Sequence, residues 1–303
     1  LPQITNPVLI DGTSEGEDAG PPLIQIDGSG AGSGCNGLVL SGGQSVVQGL
    51  VISGFSGAGI VLSGGSGNLV QGNQVGTDPS GTIAQPNGEG IEVVGSASNT
   101  IGGTAAGAAN LISGNLGPGI ELVRSTQDSM ANLIAGNLIG TTADGLHALG
   151  NQEDGILLDS ATSTTIGGTS AGEGNVISGN LSNGVETLTS SPDNLLEGNE
   201  IGTDRSGTLA LGNRGNGVSL GSSSNLIGGL NSEAGNTIAN NGTGSVGAGV
   251  QLIGLVNQNT ILSNSIHDNA GLGINLRNGP TPNHQPGTPG PNNFQNYPIF
   301  TSA

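Results

Sequence analysis

"NLIAGNLIGTTADGLHALGN" occupies residues 132–151, and two variants of it stand at 68–87, "NLVQGNQVGTDPSGTIAQPN", and at 194–213, "NLLEGNEIGTDRSGTLALGN". In each copy an Asn opens a short aliphatic run twice, five residues apart: Asn68 and Asn73, Asn132 and Asn137, Asn194 and Asn199. After each copy the same two runs recur eleven residues apart, at Asn99 and Asn110, Thr164 and Asn175, and Asn225 and Asn236. A last close pair follows at Asn259 and Asn264. Loop length therefore alternates from one period to the next, and the true repeat is a double unit.

A third phrase completes the period. Gly followed by aliphatic, variable and usually aliphatic residues appears at Gly37, Gly59, Gly90, Gly119, Gly155, Gly184, Gly217, Gly249 and Gly273. Each phrase alternates with period two, which is the signature of a strand with one buried face. A further Asn column stands four residues before the Gly, at Asn115, Asn151, Asn180, Asn213 and Asn269. Three short strands per period, Asn at the corners and no helical pattern predict an all-β parallel solenoid of roughly 9–11 coils. The Asn73, Asn110, Asn137, Asn175, Asn199, Asn236 and Asn264 column and the Asn115 column are expected to stack as ladders. Asn suits a corner because it tolerates the left-handed backbone and its amides can bond along the axis. The loops are expected to project from two corners at every second coil.

Composition fits a narrow core. Gly supplies 60 of 303 residues, aromatics 1% and charged residues 9%, so the interior must be built from Ile, Leu, Val and Ala. The net charge of −18, with no Lys and only Arg124, Arg205, Arg214 and Arg277 as fixed cations, excludes phosphate backbones and anionic membranes as partners. No apolar run is long enough for a membrane helix, so no membrane insertion is expected. Cys35 has no partner cysteine for an internal disulfide.

From residue 1 to 276 the sequence resembles the bacterial right-handed parallel β-helix repeat proteins of the pectate-lyase-like superfamily. The motifs are "NTIGGTAAGAANLISGN" from Asn99, "TTIGGTSAGEGNVISGN" from Thr164 and the phrases at Asn68, Asn132 and Asn194. The resemblance implies a right-handed β-helix and a secreted or cell-surface location. It also implies that residues 277–303, containing "GPNNFQNYPIF", form an exit segment toward a following domain.

Two groups of acids are candidate sites. Glu92 and Glu121 are the outward residues of "GIEV" and "GIEL", so in register they stack about one strand spacing apart, near the separation of a retaining glycosidase pair. The turn from Val123 to Asn132 is expected to roof a groove beside them. Asp78, Asp144 and Asp204 lie in the "GT" loops, where carboxylates and Gly-turn carbonyls suit Ca2+, although each loop offers one acid. Asp as a turn-former explains the same pattern. No cofactor is expected, with Ca2+ the alternative kept open. His147, His267 and His284 do not cluster.

Even repetition along the rod favours a non-enzymatic structural module: a rigid spacer, adhesin stalk or filament building block. It would associate end to end, join adjoining domains or meet a surface glycan. The alternative is a polysaccharide hydrolase or lyase working on the β-helix face, or a Ca2+-dependent glycan-binding module. Few aromatic residues are present to hold sugar rings.

Overall fold

A computed structural model describes residues 1–13, 22, 24–243 and 246–276. The nine Gly phrases become the nine strands of one parallel sheet, from Leu38–Leu40 to Ile274–Asn275. This is the glycine sheet. The two Asn runs of each period build two further nine-stranded parallel sheets. The first Asn sheet runs from Leu9–Asp11 to Thr260–Leu262, and the second from Ile24–Asp27 to Ser265–His267. Each strand pairs with its equivalent one coil along, so the chain is a right-handed parallel β-helix with three strands per coil. The exit segment 277–303 lies outside the described residues.

Period-two alternation places four side chains inside a typical coil, all aliphatic in most coils and with Thr187 as one of the four in the Gly184 coil. In the Gly119 coil they are Ile120, Leu122, Ile134 and Ile139, and in the Gly155 coil Ile156, Leu158, Ile166 and Ile177, all fully buried. Register stacks Ile60, Ile91, Ile120, Ile156, Val185, Val218 and Val250 in one column. Each such side chain contributes about 1.5–3 kcal/mol of apolar burial. Among the described residues Phe55 is the one aromatic in this core, and it fits because Gly28 and Gly37 leave its ring the space that a Cβ would fill.

The corners carry three Asn ladders. Asn137 shows the rule: its Oδ1 accepts the Asn110 N–H at 3.3 Å and the Asn110 Nδ2–H at 2.9 Å. Its own Nδ2 donates to Asn175 Oδ1 and to the Ile101 carbonyl, both at 2.9 Å. Every polar atom of the buried amide is thereby satisfied, which is what makes Asn affordable at a buried corner. The expected columns form as read, and the third also contains Asn87 and Asn241. Both escape the four-residue spacing because the segment between ladder Asn and Gly is shorter after Asn87 and longer after Asn241. The left-handed residue is not the ladder Asn but the one before it, as at Ser98, Ala131 and Ser163 with φ of 55°, 53° and 53°. The Asn keeps ordinary backbone angles, with its amide held along the axis.

The "GT" loops do not project. Each closes as a small antiparallel turn, Thr77 against Ala84, Thr141 against Ala148 and Thr203 against Ala210. Each then folds back over the outer face of the second Asn sheet. A Cβ at Gly81 would meet Leu111 Cδ2 at 2.8 Å, and one at Gly207 would meet Glu200 Oε2 at 3.2 Å. The outward residues Val51, Gln74, Leu111 and Val176 are buried as a result, which forms a thin second core outside the bore.

Candidate active site

The outer face of the glycine sheet carries the column Val61, Glu92, Glu121, Leu157, Glu186, Ser219 and Gln251 in unbroken register. Glu92 and Glu121 are Cα partners on adjacent strands, as the sequence predicts. A third acid joins them. Glu89 opens the strand Glu89–Val94 and lies within hydrogen-bonding reach of Glu121. It presses against Gly117, where a Cβ would stand 3.0 Å from Glu89 Cγ.

The three carboxyls are partly enclosed, and each is held above its ordinary range. Burial pushes Glu121 up to about 7, with the charges of Glu89 and Glu92, the Glu89 hydrogen bond and the more distant Asp159 adding to it. Burial also raises Glu92 and Glu89, the first further by the Glu89 charge and the second by Glu153. Two like charges this close cannot both be fully ionised, so one proton is shared within the group near neutral pH. Glu89 Oε2 is enclosed with no hydrogen-bond partner.

The turn after Val123 is tied down rather than arched over the acids. Ser129 Oγ lies within hydrogen-bonding distance of the Val93 and Val123 carbonyls, at 3.0 and 2.8 Å, and Ser129–Met130 pairs with Ala161–Thr162 as a separate two-stranded sheet. Arg124 in this turn is directed to Asp128, at 3.8 Å, with its side chain 62% exposed.

The loop acids are separate from this face. Burial alone would raise Asp204, but the Ser206 hydroxyl and the N–H groups of Leu209, Thr208 and Ser206 outweigh it and hold the group at about 2. Asp78 repeats the arrangement with Ser80, Ile83 and Thr82, and is likewise lowered. Asp144 is lowered first by the Thr142 hydroxyl, then by the Leu146 N–H, with His147 at 3.5 Å. Each carboxylate thus clamps its own loop, and among the described residues no group of three or more His, Cys, Asp or Glu is placed to hold a metal ion.

A second acid pair, absent from the sequence reading, lies on the same sheet. Glu186 is pushed up to about 7 by burial, then by the charge and hydrogen bond of Asp154. It accepts from Ser219 Oγ at 3.2 Å and from Asn183 Nδ2 at 3.3 Å.

No protein-family model and no curated protein matches the sequence. Among solved structures, the chain is similar to a periplasmic alginate epimerase, AlgG, with 19% identity and a TM-score of 0.45. That match covers 75% of this chain and 48% of the epimerase, so the chain spans about half of that protein's length. It is also similar to an alginate lyase from Paenibacillus sp. str. FPU-7, with 14% identity and a TM-score of 0.42, over 88% of this chain and 99% of the lyase.

The expectation of a non-enzymatic spacer, adhesin stalk or filament building block is corrected here. The two solved neighbours are an alginate epimerase and an alginate lyase, and their likeness to this chain is one of fold. The even repetition behind that expectation is also broken on the glycine sheet, where carboxyls gather at Glu89, Glu92 and Glu121 while Ser219 and Gln251 hold the same outward column farther on. Among the described residues no helix is long and apolar enough to cross a membrane.

Proposed function

We propose that the chain is a polysaccharide-active enzyme that hydrolyses glycosidic bonds on the outer face of the glycine sheet, with Glu121 as general acid and Glu92 as the carboxylate partner. The observation that carries the proposal is the register of these two acids on adjacent coils. Strand spacing puts them about 4.8 Å apart at the backbone, against the about 5–5.5 Å between carboxyls of a retaining pair. In the first step a Glu92 oxygen bonds to the anomeric carbon as the glycosidic C–O bond breaks, and the Glu121 proton passes to the leaving oxygen. In the second, Glu121 takes a proton from water as that water's oxygen displaces Glu92 and frees the sugar. An acid titrating near 7 suits both halves of this exchange.

The net charge of −18 favours a neutral glycan over an acidic one. Hydrolysis is favoured over elimination because Arg124, the described cation nearest in sequence to Glu121, is directed to Asp128. Among the described residues the one aromatic, Phe55, is buried, so those residues would hold sugar rings by polar groups and by Leu157. Work on a glycan outside the cell fits a Lys-free, acidic chain.

The test is release of reducing ends from a panel of neutral and acidic glycans. Cleavage of a neutral glycan that falls at least about 100-fold in both E121Q and E92Q is the expected result. Unsaturated non-reducing ends formed together with the new reducing ends, cleavage indifferent to both substitutions, or no cleavage across the panel would overturn it.

A further inference from the structure

The glycine sheet carries one diagonal arrangement twice. Glu89 stands directly before Gly90 and reaches Glu121 on the next coil, and Asp154 stands directly before Gly155 and reaches Glu186 on the next coil. Both members are displaced by 65 residues, 89 to 154 and 121 to 186, which is the length of one double coil here. In the double coil after that, the equivalent positions are Asn216 and Gln251, two neutral amides. Where two carboxyls occupy the diagonal, one proton between them halves the charge that burial would otherwise penalise.

The first acid of each diagonal is fixed from behind. Asp154 Oδ1 accepts the Asn183 N–H at 2.7 Å. Glu89 lies flat on Gly117, a residue without the Cβ that would lift it away. The pairs differ in one respect: Glu121 has Glu92 beside it in the sheet, whereas Glu186 is flanked by Leu157 and Ser219.

We propose that Glu89 is a positioning residue for Glu121: seated on Gly117, it accepts the hydrogen bond of the Glu121 carboxyl, fixes the proton on that acid and leaves Glu92 charged. Its role in a reaction rests on the hydrolase reading above, but the sharing of the proton does not. The charged groups that face the pair are Glu92 from the Glu89 coil and Asp159 and Glu153 from the coil after Glu121. Glu89 Oε2 is enclosed and has no other hydrogen-bond partner, so the Glu89 carboxyl has acceptor capacity to spare for this proton.

The experiment is a carboxyl-carbon NMR titration of the full chain, labelled at Glu, for the parent, E89Q, G117A and D154N. E89Q removes a like charge, so the Glu121 midpoint is expected to fall by about one pH unit, a tenfold loss of proton affinity, while Glu186 stays in place. G117A should lower Glu121 in the same direction by displacing Glu89, and D154N should lower Glu186 alone. The unchanged Glu186 midpoint certifies an intact face in E89Q and G117A. An unmoved Glu121 midpoint in E89Q, with Glu186 still near its parent value, overturns the proposal. If a neutral glycan is cleaved, the alkaline limb of the kcat profile should move down with the Glu121 midpoint while KM holds. A shifted midpoint in a protein that cleaves nothing retains the proton sharing and rejects the hydrolase.

Discussion

Thr164 interrupts the first Asn ladder, and replacing it tests what the ladder contributes. Asn68, Asn99 and Asn132 bond in series on one side, and Asn194, Asn225 and Asn259 on the other. Between them the Thr164 Oγ1 is buried without a partner, although its N–H still donates to Asn194 Oδ1 at 2.9 Å. The amide of T164N would accept from both the N–H and the Nδ2 of Asn132, and would donate to Asn194 Oδ1. Two or three buried hydrogen bonds at about 0.5–1.5 kcal/mol each, less the ordering of one side chain, leave a net gain of about 1–2 kcal/mol. At roughly 2–4 °C per kcal/mol for chains of 150–250 residues, the melting midpoint should rise by about 2–8 °C. T164V separates the two contributions, since it removes the orphan hydroxyl but adds no bond, and its gain should be the smaller. Hydrogen exchange at the Asn132 amide should slow in T164N and not in T164V. A T164N midpoint at or below that of T164V, with the Asn132 amide exchanging at the parent rate, would refute the ladder account.

The corner before each ladder Asn supplies a second prediction. Ala131 holds φ of 53°, where an L-residue carries about 1–2 kcal/mol of strain, so A131G should raise the unfolding free energy measured by urea denaturation by about 0.5–1 kcal/mol after the added chain entropy is subtracted. Stability should also pass through a maximum near pH 4–5. Glu121 and Glu186 titrate near 7 when folded against 4.5 in the free side chain, so their contribution is full below about 4.5 and is lost as pH rises through 7. Asp204 acts in the opposite sense, at about 2 folded against 3.8 free, so its contribution is present above 3.8 and is lost as pH falls toward 2. Urea midpoints across this range check both signs, and the double substitution E121Q/E186Q should flatten the alkaline fall. N137A, which breaks a complete ladder at a buried corner, should cost at least about 2 kcal/mol by thermal melting, more than T164A.

The nine strands of the glycine sheet and the ladders were legible because a solenoid writes its geometry as repetition. Gly90 and Gly119 mark the same point of successive coils, so the register of Glu92 on Glu121 follows from counting. Glu89 was not legible, because it stands before the Gly, at a corner where Ala58, Pro118, Asp154 and Asn183 occupy the equivalent place in other coils. No periodic preference marks that position, and its importance appears only when the next coil brings Glu121 alongside. Asp154 was missed for the same reason. The direction of the "GT" loops was misjudged because it is set by where Gly81 and Gly207 touch the sheet, and a residue without a side chain leaves no hydropathy signal. The left-handed corner was assigned to Asn on intrinsic tolerance, yet in the fold the ladder fixes the Asn and passes the strain to its neighbour.

The folded-back loops also restrict how such a rod can change its length. The Ala143 N–H of one loop donates to the Gly81 carbonyl of the loop two coils earlier, at 3.0 Å, so these two loops meet edge to edge on the outer face. Removing the coil between two such loops would bring them from two strand spacings, about 9.6 Å, to within about 4.8 Å of each other. Removing residues 119–183 takes out one tile whole and joins Pro118 to Gly184 at equivalent points of the coil. Growth and loss by recombination are therefore quantised in double coils, and a surviving length variant of this protein should differ from it by about 65 residues or a multiple of that.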